Sequence, residues 1–472
     1  MGQIEGRPDW RGIIYGGERA ILDDFAQRAE ILSKLHAAFY AAVEELAGAE
    51  ARRGVERDGL RNLHRHLPAN KVGLIEHLIK QQLADDLYYW SYRVGRETLR
   101  LPEPFYVDML IVIRVHYPHL VARAGGESIA PPTDWRERAR LGVAALRDPR
   151  LIVNQIARRV RKRGKIAAHR IAYDPKAYHG DLPTLARSHG PHIDTWYGHS
   201  FDGFNVWLSI DGVNPDNTVI LYPDMFGRKI DYDPRSMYLA RGIALPRPLK
   251  VDLKPGQLLL FNPEILHGTQ VNISDETRVA LTMRINPGEP RFNDDAPFNA
   301  EHWYSSRDLA ERRFTRISLF PAGKYLGAPS IEERAVPPDP ALTRIALAAD
   351  ADAGPDAEDD AGEDLALCEG SALVEGGKLA VDVGARKLLL VRTAQGIRAF
   401  ERRCPHQGVD LADGAREGDR IFCPGHGIAF DLVDGASKCS AFRLRQVPVA
   451  EHGGRVVLRR GAPARRSEAL AG

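Results

Sequence analysis

The sequence predicts a mainly β chain with helices at its N-terminal end, divided into two folded parts. Three observations predict it. Strand-like runs follow Asp194, at 204–210, 218–222, 257–261 and 278–285, punctuated by Asp211-Gly212, Asn214-Pro215-Asp216-Asn217 and Pro255-Gly256. An acidic stretch of Ala, Asp, Glu, Gly and Pro at 348–364, opened by Pro337-Pro338-Asp339-Pro340, cannot bury a core. Beyond it, short apolar runs at 379–383, 387–392, 397–400 and 456–458 suit a second, small all-β domain.

Each part follows in order. Apolar residues recur at helical spacing through 21–46 and 72–83, so 1–104 is expected to be helical and to pack on the larger β domain at 105–335. Residues 336–363 read as a flexible linker, 364–460 as the small domain and 461–472 as a disordered tail. No internal repeat is visible.

The bulk numbers are those of an ordinary globular protein. The chain has 472 residues, 44% hydrophobic content and a net charge of +2. So balanced a charge gives no reason to expect a nucleic-acid partner. Four cysteines leave little material for a disulfide framework, which fits a reducing cytoplasm. The first seven residues contain no apolar signal core. The most apolar early run, 106–121, is interrupted by Asp108, Arg114 and His116 and does not read as a membrane span.

The small domain carries the most specific signal. Cys404-Pro405-His406 is followed, after 16 intervening residues, by Cys423-Pro424-Gly425-His426. Two Cys and two His also suit tetrahedral zinc, but zinc fingers usually pair Cys with Cys and His with His. Here each motif gives one of each. With Gln407-Gly408 after the first motif and Gly427 after the second, the pattern resembles the ligand loops of soluble Rieske ferredoxins. The resemblance implies a 2Fe–2S cluster, with Cys404 and Cys423 on one iron and His406 and His426 on the other. It also implies a one-electron carrier fed by a ferredoxin or flavin reductase. Cys368 and Cys439 read as packing residues.

The larger domain carries a second constellation. His192-Ile193-Asp194 and His267 supply two imidazoles and a carboxylate, a set that leaves positions open on Fe(II). His-x-Asp is weak by itself, and His179-Gly180-Asp181 is a rival copy among loop-like residues. The later pair leads into a strand-like run. Pro255-Gly256-Gln257-Leu258-Leu259-Leu260-Phe261 runs on to Leu266-His267-Gly268, and Arg278 follows His267 after ten residues. This resembles the double-stranded β-helix (jelly-roll, cupin-like) of Fe(II)/2-oxoglutarate-dependent oxygenases, in the phytanoyl-CoA-dioxygenase-like branch. The resemblance covers roughly 105–300 and implies that His192, Asp194 and His267 bind iron. It assigns Arg278 to the far carboxylate of 2-oxoglutarate, which a guanidinium fork meets with two parallel bonds. Relatives often carry Ser or Thr two residues after that Arg; this chain has Ala280. Thr282 and Arg284 share the strand face, and Arg284 is the alternative anchor.

The expected activity is therefore a dioxygenase that uses O2 to hydroxylate, or otherwise oxidise, a C–H bond of a small-molecule or natural-product substrate. Halogenating relatives replace the carboxylate by a small residue, so Asp194 favours hydroxylation. Two alternatives stand beside it: a reductase-dependent Rieske non-heme oxygenase, and an electron-transfer module with an inactive barrel. Asn205 and Trp207 face either the pocket or the core. His189 and His199 read as hydrogen-bonding residues. The basic run 158–165 reads as a solvated helix face.

Overall fold

The computed structural model describes residues 9–147, 179, 182–233, 236, 238–292, 302–320, 334–347 and 364–459. The chain divides into two compact units. The first comprises 1–239 and 249–335, the second 240–248 and 336–472.

The first unit is built on an antiparallel eight-stranded sheet. Its order is Arg19–Leu22, Leu258–Phe261, Phe204–Ser209, Arg278–Asn286, Tyr106–Asp108, His302–Ser305 and Ser318–Leu319, with Val112–His116 also paired to Arg278–Asn286. A three-stranded sheet of Leu266–Thr269, Val219–Tyr222 and Leu249–Lys250 supplies the second layer. Side-chain alternation along each strand sorts the residues between two cores. Val206, Leu208, Leu258, Leu260, Val279, Leu281 and Met283 join Ile31, Leu35 and Phe39 of the helix Arg28–Asp58, and Ile75, Ile79 and Trp90 of the helix Val72–Arg93. The opposite faces give Trp207, Leu259, Phe261 and Ala280, which meet Val219 and Leu221 of the smaller sheet. Trp207 is thus a core residue.

One expectation changes in this unit. Residues 19–22, expected within the helical part, form a strand paired with Leu258–Phe261. Alternating burial shows why: Ala20 and Leu22 are covered while Arg19 and Ile21 are half-covered. No helix among the described residues is long and apolar enough to cross a membrane.

The second unit is all-β. A five-stranded sheet runs Leu342–Leu347, Lys378–Val383, Arg386–Thr393, Gly396–Glu401 and Gln446–Val447. Two three-stranded sheets complete it: Leu365–Glu369 with Arg455–Leu458 and Val449–His452, and Arg416–Glu417 with Arg420–Phe422 and Ala429–Asp431. Leu342–Leu347 lies inside the expected linker 336–363, yet pairs in parallel with Lys378–Val383. Its Leu, Ile and Leu at 342, 345 and 347 give it apolar surface to cover, unlike the Asp- and Glu-rich residues that follow. Residues 348–363, the tail 461–472 and the basic run 158–165 lie outside the described residues. Ala240–Pro248, expected within 105–335, belongs to this unit. Gly242 and Leu245 donate their N–H groups to Asp413 Oδ2 and O (3.0 and 2.8 Å), and Arg247 pairs with Glu417 (2.9 Å).

Candidate metal centres

Main-chain bonds set the first centre before any side chain is considered. The His192 N–H donates to His267 O (2.8 Å), and the His267 N–H donates to His192 O (3.0 Å). Asp194, two residues on, donates its own N–H to Pro263 O (3.0 Å). His192 Nε2 and His267 Nε2 then lie 3.7 and 3.8 Å from Asp194 Oδ1. One donor atom from each of the three lies within 4.8 Å of the others.

Hydrogen bonds orient all three. His192 Nδ1 is 2.7 Å from Gly190 O, and His267 Nδ1 is 2.8 Å from Ile265 O. A carbonyl only accepts, so each Nδ1 carries the proton and each Nε2 offers its lone pair to the centre. Asp194 Oδ2 accepts from Asn205 Nδ2 (2.8 Å) and lies 3.4 Å from Arg284 Nη2. Asn205 and Arg284 stand directly opposite each other on neighbouring strands. Oδ1 is left for a cation.

The charges agree with that use. Burial opposes ionisation of Asp194, but Arg284, His267 and His199 together hold its carboxyl well below the usual range. Burial, then the neighbouring His192, pushes His267 down to about 4. Carboxylate charged and His267 neutral is the protonation state that a divalent ion requires. Two imidazoles and one carboxylate suit a first-row divalent metal with open positions.

A row of polar side chains extends from this centre. On the strand Val112–His116, Ile113 and Val115 are buried against the helices, while Arg114 and His116 turn inward and keep partial exposure. Thr282 and Arg284 do the same on Arg278–Asn286. Arg278 is 3% exposed, and its Nη1 donates to Asn217 O (3.2 Å). Among the described residues its Nε has no hydrogen-bond partner, and neither do Nε and Nη1 of Arg284. Burial, then Arg114, lowers Arg278 to about 9. Burial, then Arg278 and Arg114, holds His116 well below its ordinary value. His189 Nδ1 is 3.2 Å and His179 Nε2 3.5 Å from the Tyr238 hydroxyl. His179 is thus placed on Tyr238 rather than in the triad, and Asp181 lies outside the described residues. His199 Nδ1 is 3.7 Å from Asp108 Oδ2.

The second centre is two turns of one design. The Cys404 N–H donates to Val409 O (2.8 Å), and Cys404 O accepts from the Gly408 N–H (2.8 Å). The Cys423 N–H donates to Ile428 O (2.8 Å), and Cys423 O accepts from the Gly427 N–H (2.9 Å). Gly408 and Gly427 close the turns at φ of 68° and 65°, where only glycine sits without strain. Cys404, Cys423, His406 and His426 are all buried. The Cys404 and Cys423 thiols hydrogen-bond each other, Cys423 also meets His426, and His406 Nδ1 is 3.2 Å from His426 Nδ1. Beneath the first loop, buried Arg402 forms ion pairs with Asp382 (2.7 Å) and Asp410 (3.0 Å).

Residues 363–449 match the family model of the Rieske [2Fe-2S] domain. Through this domain the chain belongs to the Rieske family. The chain is 32% identical over 110 residues to the ferredoxin component of the alkene monooxygenase system of Xanthobacter autotrophicus, covering 22% of this chain and 87% of the relative. It is 33% identical over 86 residues to the ferredoxin component of the naphthalene 1,2-dioxygenase system of Pseudomonas aeruginosa, covering 18% and 83%. It is 33% identical over 72 residues to apoptosis-inducing factor 3 of Homo sapiens, covering 15% of this chain and 12% of that relative. The match supports a 2Fe–2S cluster and an electron-transfer role for this domain. Imidazole ligands raise its potential above that of an all-cysteine cluster.

Sequence reasoning missed Arg114, His116, Glu76 and Tyr238. The available signal was the alternation of Arg114 and His116 with apolar residues in 112–116.

Proposed function

We propose that the first unit is a non-heme Fe(II)/2-oxoglutarate-dependent dioxygenase that hydroxylates a C–H bond of a small molecule. In this reading the Rieske domain supplies electrons to it. The observation that carries this is the convergence of His192, Asp194 and His267, with the second carboxylate oxygen held by Asn205 and Arg284. Bound Fe(II) supplies the activation of dioxygen, and 2-oxoglutarate supplies two electrons as it loses CO2 to give succinate. The residues orient. Arg284 is turned toward Asp194, which leaves Arg278 for the far carboxylate of the co-substrate. A guanidinium that deep, with an unmatched Nε, fits an anion. Thr282 follows on the same inner face, where Ala280 offers no hydroxyl.

Two electrons from 2-oxoglutarate and two from the substrate's C–H bond reduce O2 completely. The Rieske domain's part is therefore to restore Fe(II) after uncoupled turnover, with a ferredoxin or flavin reductase as donor. A second reading, in which reductase electrons drive each turnover, is favoured by the ferredoxin components among the curated relatives.

Succinate release decides between them. Iron-loaded full-length protein is given 2-oxoglutarate and O2 without reductase, with His267→Ala as control. Slow succinate formation that disappears in the variant is expected. No succinate from protein with intact cluster and bound iron would move the function to reductase-driven chemistry.

A further inference from the structure

Arg114 is a half-buried cation that neither centre uses. It stands on the inner face of Val112–His116, directly across from Ala280. That register puts Arg114 on the face that carries Arg278, Thr282 and Arg284. The charged and titratable groups acting on it are Glu76 on the helix Val72–Arg93, Arg284, Tyr238 and Asp194; it in turn acts on Arg278, His116 and His189. Glu76 is the nearest source of compensation. Its Oε1 accepts the Val115 N–H (2.9 Å), and burial pushes its carboxyl up despite Arg114. Among the described residues no hydrogen bond or ion pair closes on the Arg114 guanidinium.

The charges do not balance without a further anion. Three guanidiniums and a divalent ion exceed Asp194 and a doubly charged co-substrate by two, and Glu76 removes at most one. Each guanidinium withdrawn even partly from water without a matching anion is costly. The unmatched Nε and Nη1 of Arg284 and Nε of Arg278 point the same way.

We propose that the substrate is itself an anion, a small molecule whose carboxylate or phosphate group is held by Arg114 beside the metal centre. This rests on the 2-oxoglutarate reading, which assigns Arg278 to the co-substrate.

The test is a binding experiment on the full chain, with redox-inert Zn(II) in the triad and saturating 2-oxoglutarate. Acetate and inorganic phosphate are the probes, titrated against matched ionic strength of chloride, with 2-oxoglutarate affinity measured separately. Wild type is expected to bind one of the probes, which also names the group. R114Q should bind it at least tenfold more weakly, and R114K, which keeps the charge but not the fork, should fall between them. The affinity for 2-oxoglutarate should stay within twofold in both variants. Equal probe binding in wild type, R114K and R114Q, or none in wild type, would overturn the proposal. So would a tenfold loss of 2-oxoglutarate affinity in R114Q, which would give Arg114 to the co-substrate. If wild type binds no 2-oxoglutarate, the co-substrate reading fails, and the probe titration without it still decides the role of Arg114.

Discussion

Asn205 and Arg284 share one oxygen of Asp194, and the carboxylate's orientation depends on both. Asn205→Ala removes the shorter contact without touching a donor atom of the triad. Metal affinity, read by chelator competition, should fall about 10- to 100-fold, the usual effect of losing a group that orients a ligand. Glu76 gives a pH signature. Burial raises its carboxyl above the ordinary 4.5, so the stability it contributes is full below 4.5 and lost as pH rises through the folded value. Glu76→Gln can still accept the Val115 N–H. The variant should melt no higher than wild type at pH 4 and a few degrees higher at pH 7.5. An unchanged difference across that range would refute the account. The four Rieske ligands were legible because each pair lies within a few residues, where spacing alone carries the geometry. His192, Asp194 and His267 needed the order of motifs along the chain. Asn205 and Arg114 acquire their roles from strand register, opposite Arg284 and Ala280, and register is not written in either strand alone.

Strands with continuous apolar sequence were legible to within a residue or two: 204–210 was expected and Phe204–Ser209 is found, 278–285 and Arg278–Asn286. Tyr106–Asp108 and Leu266–Thr269 were not, because Asp108 in the first and His267, Gly268 and Thr269 in the second leave no continuous apolar run. Leu342–Leu347 was hidden by the Pro- and Asp-rich residues on either side. At this scale the Rieske turns make a prediction. Gly427 sits at φ 65° and donates the bond that closes the second turn. Gly427→Ala should cost about 1–2 kcal/mol in the left-handed region, read as a lower midpoint for thermal bleaching of the cluster's visible absorption. A midpoint equal to wild type would show that the turn does not need glycine there.

The second unit is assembled from two separate stretches of chain. Leu245 is 4% exposed in it, Arg247 lies 5.4 Å over the Phe422 ring, and Asp413 accepts the Gly242 N–H. A fragment of 336–472 alone should therefore be less stable than the same fragment with 240–248 tethered to it. The difference should be about 2 kcal/mol, roughly the burial of one leucine, measurable by denaturant unfolding. Equal stability would mean that the stretch merely rests on the unit. Nothing in the sequence hints at this arrangement, because 240–248 carries no motif and its partners Asp413 and Glu417 lie 171 and 170 residues further along the chain. The arrangement bears on inheritance. Nine residues encoded in the middle of one unit complete the other, so the Rieske domain is not a cassette that recombination can exchange at a single boundary. A replacement domain would have to offer equivalents of Asp413, Glu417 and Phe422 to a segment it did not bring, and the two stretches are expected to vary together across descendants.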